Sequence, residues 1–166
     1  MTLLSDERLA KAEADIVNKF LEDYPVKVGE LAKELGLKVT RAPLPPKISG
    51  LIKPSEDAKA GFEIRVNKYE VSERQRFTVA HEIAHYLLHR KDIGSGVVDS
   101  IMYRSTLTSR KETEANRLAA DIVMPAKAIS REWEKFGRNR SEDVVEEMAA
   151  IFKVSVPAMK VRLGVI

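Results

Sequence analysis

The chain has 166 residues, of which 44% are apolar, 32% charged and only 6% aromatic; this suits a folded, helix-rich protein with one core and one cleft, and excludes a disordered chain. It contains no cysteine, so disulfides and thiolate metal sites are excluded, and any metal must be held by histidine and carboxylate. The net charge of +3 divides as 14 basic against 14 acidic side chains up to residue 83 and 14 against 11 beyond it, too even for a phosphate-binding surface.

There is no basic segment leading into an apolar core at the start, and no apolar run of about 18 residues, so neither export nor membrane spanning is expected. The expected compartment is the cytoplasm. In "SDERLAKAEADIVNKFLEDY", Leu9, Ala12, Ile16, Val17 and Phe20 recur at helical spacing, and "PVKVGELAKELGLKV" repeats the pattern, with Pro25 near its start and Gly36 at its close. Past Val39 the apolar runs shorten and are punctuated by "APLPP" and "SG". "ISGLIK" and "GFEIRVN" look like strands, the second alternating Phe62, Ile64 and Val66 with Glu63 and Arg65, and a small sheet of three strands is expected.

Ser72 and Gln75 have capping-box spacing, opening a helix that runs to about Arg90 with Phe77, Ala80, Ala84, Leu87 and Leu88 as its apolar stripe. Gly94 and Gly96 lead into a loop through Tyr103. A helix follows from about Ser109 to Val123, stopped by Met124 and Pro125, and the remainder is again helical. The fold class expected is therefore α+β and mostly helical, with a body over residues 1–125 and a helical subdomain over residues 126–166. Its last two helices, joined by a turn at Lys153 to Ser155, resemble a helix-turn-helix. Glu142, Asp143, Glu146 and Glu147 load the first of them with negative charge and only Lys160 and Arg162 enrich the second, so direct nucleic-acid binding is not expected.

All three histidines fall in "FTVAHEIAHYLLHR", two of them framing His-Glu-x-x-His. Residues four apart stack on one helix face, so His81 and His85 can aim ring nitrogens at one cation. Glu82 lies about 100° further round, placed to take a proton from an attacking water. His89 is a further turn on; eight residues span about 12 Å, too far for all three rings to share one ion, so a bond to a carbonyl or an acidic neighbour is its expected role.

A third ligand is expected from "ETEANRLAADIVMP". Glu112 shares a helix face with Ala115, Asn116 and Ala119, and Asn116 is placed to hold a ligand histidine's other nitrogen. A capping box between Ser109 and Glu112 would instead occupy that glutamate and leave Glu114 as the ligand; Glu112 is preferred for its small and amide neighbours. Zinc suits such a site, and manganese or iron can occupy it. Tyr86, Tyr103 and Arg104 are candidate donors to an oxyanion, and a substrate strand is expected along the sheet edge at residues 61–67.

"RQRFTVAHEIAHYLLH" followed by "ETEANRLAADIVMP" resembles the ImmA/IrrE family of metallo-endopeptidases, with weaker likeness through "GFEIRVN" and "AAIFKVSVPAMKVRLG". The resemblance implies a zincin-like protease of gluzincin type, with His81, His85 and Glu112 as zinc ligands and Glu82 as general base. Its implied partner is a protein, a helix-turn-helix repressor or an antitoxin, cut in the control of a mobile element or a stress response. Leu118 replaces the family's usual phenylalanine and "DIVMP" stands for "LLMP", changes that stay apolar. The rival readings are a non-cleaving interaction protein and a DNA-binding regulator that keep the fold.

Overall fold

The computed structural model describes residues 9–94, 97–100 and 108–165. Helices α1 (Lys11–Phe20) and α2 (Val28–Glu34) lead into strands β1 (Lys38–Ala42), β2 (Ile48–Pro54) and β3 (Phe62–Asn67). Helix α3 (Ser72–His89) follows, then β4 (Val97–Ser100), α4 (Ser109–Val123), α5 (Ala126–Lys135), α6 (Glu142–Phe152) and α7 (Val156–Leu163). The class is α+β and mostly helical. Among the described residues no helix is long and apolar enough to cross a membrane.

The sheet has the order β1-β3-β2-β4, with β1 parallel to β3 and the other two pairings antiparallel. Two expectations change here. Strand β4 lies within the stretch read as loop and adds to the three strands expected, pairing Val97 with Ile52 and Ser100 with Ile48; four residues are too few to show a period. Residues 62–67 are not an edge, because β3 is bonded on both sides, and among the described residues the edges are β1 and β4. The alternation of Phe62, Ile64 and Val66 reports which face meets the core and says nothing about which strands flank it.

Helix α3 lies across β2 and β3, and Gly50 sets how closely. A Cβ at Gly50 would stand 2.5 Å from Thr78 Cγ2 and 2.8 Å from the Arg65 carbonyl, so "SG" is a close-approach point inside β2 and not a break in the chain. Thr78 sits one turn before His81, so this contact carries the sheet's position to the histidine face. The start of α3 also departs from the expected capping box: its N-cap is Val71, Ser72 is already helical, and Gln75 Nε2 donates to the Glu70 and Lys68 carbonyls at 2.7 and 3.3 Å. Gln75 thus ties the helix to the turn before it.

A single apolar core runs from Val17 and Leu31 through Ile52, Ile64, Ile83 and Ile122 to Met148, Phe152 and Met159. Full burial of one such large side chain contributes roughly 1.5–3 kcal/mol. Tyr24 stacks on Phe152 with ring centroids 4.8 Å apart, and its hydroxyl donates to Glu132. Lys135, donating at 2.8 Å, and then Tyr24 hold the Glu132 carboxyl below the usual carboxylate range. Arg162 of α7 donates to the Met124 carbonyl at 2.6 Å and to Asp121 at 2.8 Å, fastening the last helix to the end of α4.

Candidate metal centre

Helices α3 and α4 pack face to face, and their contact is polar at its centre. His81 is 7% exposed, Glu82 and His85 0%, and His89 2%. Burying four polar side chains on one helix costs stability unless they are bonded or face charge, so this face is a site before any chemistry is assigned to it.

His81 Nε2 and His85 Nε2 lie 3.0 Å apart, and Glu112 Oε1 stands 3.2 Å from the first and 3.3 Å from the second. Three lone-pair atoms thus form a nearly equilateral triangle. A shared proton can bridge one edge of such a triangle, whereas a cation beside its centre satisfies all three atoms at once. Bonds of about 2.0–2.1 Å to a tetrahedral ion give edges of about 3.3–3.4 Å, close to those observed. The residues fit a metal ion held by two imidazoles and a carboxylate. Glu112 is available because Thr108 caps α4, its Oγ1 accepting from the Lys111 amide at 3.2 Å; the Ser109 capping box does not form.

Glu114, the alternative ligand, turns to a different partner: its Oε1 is 2.9 Å from His89 Nε2. His89 Nδ1 is in turn 3.1 Å from His85 Nδ1. With the His85 Nε2 lone pair turned to the metal cluster, its proton sits on Nδ1 and donates to His89 Nδ1; His89 then donates from Nε2 to the Glu114 carboxylate. Every nitrogen in the row has a consistent role. His89 therefore meets the acidic neighbour expected of it. Asn116 lines the cavity on the Glu112 side, and the group at the outer nitrogen of His85 is His89.

Tyr86 does not join the cluster. One residue past His85 it lies about 100° round the helix, with its ring edge-on to Phe62 at 5.8 Å and beneath the Arg90 guanidinium at 4.0 Å. Burial pushes its hydroxyl pKa up. Tyr103 and Arg104 lie outside the described residues. Lys111 Nζ, 2.8 Å from Asp92, ties the first turn of α4 to the short turn that follows α3 and holds the Asp92 carboxyl below its ordinary value.

The triangle opens on a cavity of about 640 Å³. Ser49, Phe77 and Thr78 line it on the body side, while Val154, Ser155 and Ala158, at the α6–α7 turn, line the other. Sequence reasoning missed that second wall: helical spacing shows which residues share a face, not that residue 155 returns to residue 81.

A family model described as the IrrE N-terminal-like domain, a peptidase family, matches residues 32–164. The radiation response metalloprotease IrrE of Deinococcus radiodurans is 38% identical over 74 residues, covering 45% of this chain and 23% of that protein. The chain thus matches less than a quarter of the length of this curated relative. A solved structure described as a Mycobacterium tuberculosis transcriptional regulator is similar in fold, with a TM-score of 0.58 at 15% identity, over 90% of this chain and 45% of that one. Because the family match extends from α2 to the end of α7 and takes in both helices that carry the histidine and glutamate cluster, the chain belongs to the IrrE N-terminal-like family of peptidases.

Proposed function

We propose that this protein is a metal-dependent endopeptidase, with His81, His85 and Glu112 holding zinc, or manganese or iron in its place, and Glu82 as the general base. The observation that carries the reading is the triangle of donor atoms at 3.0–3.3 Å. When bound, such a cation polarises a scissile carbonyl and makes water acidic enough to attack near neutral pH. Glu82, next to His81 and fully buried, takes the proton of the attacking water and hands it to the departing amine. A cation beside it also offsets part of the cost of burying its charge. His89 and Glu114 hold His85 in the tautomer the site needs. Asn116, on the cavity wall beside Glu112, orients the carboxylate or the substrate, and Tyr103 and Arg104 remain the proposed donors to the oxyanion.

An extended substrate then adds to the sheet at β4, the edge beside β2, with its scissile bond led towards Ser49 and His81 on the cavity wall. Residues 1–125 form the peptidase body and residues 126–166 a helical subdomain packed on it. The partner is a cytoplasmic protein of helix-turn-helix repressor or antitoxin type, whose cleavage switches a mobile element or a stress response; the relative named for a radiation response supports the latter. The chain's own hairpin is a poor DNA reader, because Lys160 pairs with Glu142 at 2.8 Å and Arg162 is engaged with Met124 and Asp121. The test is incubation of zinc-loaded protein with helix-turn-helix repressors and antitoxins encoded by neighbouring genes. Cleavage that stops with chelator and in Glu82→Gln supports the reading; an intact repressor, or cleavage that survives Glu82→Gln, overturns it.

A further inference from the structure

A second cavity, of about 460 Å³, lies off the start of α3, away from the triangle; α3 borders it with Ser72, Gln75, Arg76 and Val79, residues distinct from those it turns to the metal cavity. Its wall is apolar where Val26, Val28, Val39, Val66 and Val79 meet. Its charge is one-sided. Lys27, Arg41, Arg76 and Lys153 line it, against a single carboxylate, Asp23.

Arg76 is the unusual member. Its Nη2 donates to the Val26 carbonyl at 2.6 Å, whereas its Nη1 is buried and makes no hydrogen bond among the described residues. Burial lowers its pKa, and the acidic group whose charge reaches it is Glu73, an exposed residue on the wall of the other cavity. A half-buried guanidinium without a carboxylate at its fork carries a charge that is only partly compensated, and its planar donors suit an oxyanion. Lys153 adds an independent sign. It holds φ +53° at the end of α6, a left-handed position where glycine is the unstrained choice, and it places a cation on the rim instead.

We propose that this cavity binds a small organic anion, a phosphate or carboxylate carried on an apolar or ring-shaped body, with its charged end against Arg76, Arg41 and Lys153. The valine wall takes the body, and Arg76 supplies the fork. Arg76 stands five residues before His81 on the same helix. The site does not depend on the peptidase reading.

The test is nuclear magnetic resonance titration of the full chain with phenyl phosphate, benzoate and neutral benzyl alcohol, following the methyl groups of Val26, Val28 and Val79. Saturable shifts with either anion and none with the alcohol are expected, and the stronger of the two identifies the charged group. Arg76→Met should abolish the shifts. Lys153→Gly combined with Arg41→Ser should weaken binding about tenfold or more without lowering the thermal midpoint, since glycine removes the backbone strain at 153. Absence of saturation with both anions overturns the proposal. So does an affinity left unchanged by Lys153→Gly with Arg41→Ser, or shifts that fall instead at Thr78 and Asn116, which would place the anion at the triangle's cavity.

Discussion

The α3–α4 pair and the α6–α7 hairpin are both helix pairs of ordinary length, and they are built on opposite principles. The hairpin follows local rules save at Lys153: Ser141 and Ser155 cap its helices, accepting from the Val144 and Ala158 amides, and its inner face is Val145, Met148, Phe152, Met159 and Leu163. The α3–α4 pair sets His81, Glu82, His85 and His89 among the apolar residues at its centre. One interface is made for stability and the other gives up stability to hold charge, so changes in the two should separate cleanly into folding and function.

The largest separation is expected at Glu82. Glu82→Gln should retain metal, as measured by mass spectrometry on protein without a histidine tag, and lose about a thousandfold or more of its cleavage rate. Retained cleavage would remove the proposed base. His85→Ala and Glu112→Ala should each lose stoichiometric metal in the same measurement, while Glu114→Ala should not. His89→Ala, which leaves all three ligands in place, should weaken metal affinity about 10–100-fold by competition with a chromophoric chelator.

The hairpin should answer in the other currency. Phe152→Ala, by removing a fully buried ring stacked on Tyr24, should lower stability by about 3–5 kcal/mol in urea unfolding and leave the metal content of the folded fraction unchanged. Ser155→Ala is the smallest change, about 1 kcal/mol for the lost cap, with no effect on metal. A loss of metal in either hairpin variant would show that the two interfaces are not separate.

Each local reading succeeded where its signal was periodic. The His81 and His85 spacing, the bounds of α4, and the turn at residues 153–155 all follow from helical repeat and stop signals, because those are set by neighbours within one turn. Local readings failed where two patterns competed for the same residues. Ser72 with Gln75 and Ser109 with Glu112 both have capping-box spacing, yet Gln75 bonds the preceding turn, and Thr108 caps α4 one residue earlier. Gly50 falls inside the strand read from "ISGLIK", and only the fold shows it to be the point where β2 meets Thr78.

The sequence by itself determined the helices, the donor types and the two imidazoles on one face, since backbone geometry places residues four apart together in any surroundings. Only the tertiary structure set Glu112 beside His81 and His85 and Glu114 beside His89, seated β3 inside the sheet, and brought the α6–α7 turn to the wall of the candidate metal cavity. Those outcomes depend on how separate elements pack, and contacts between residues far apart in the chain leave no period in the sequence to read.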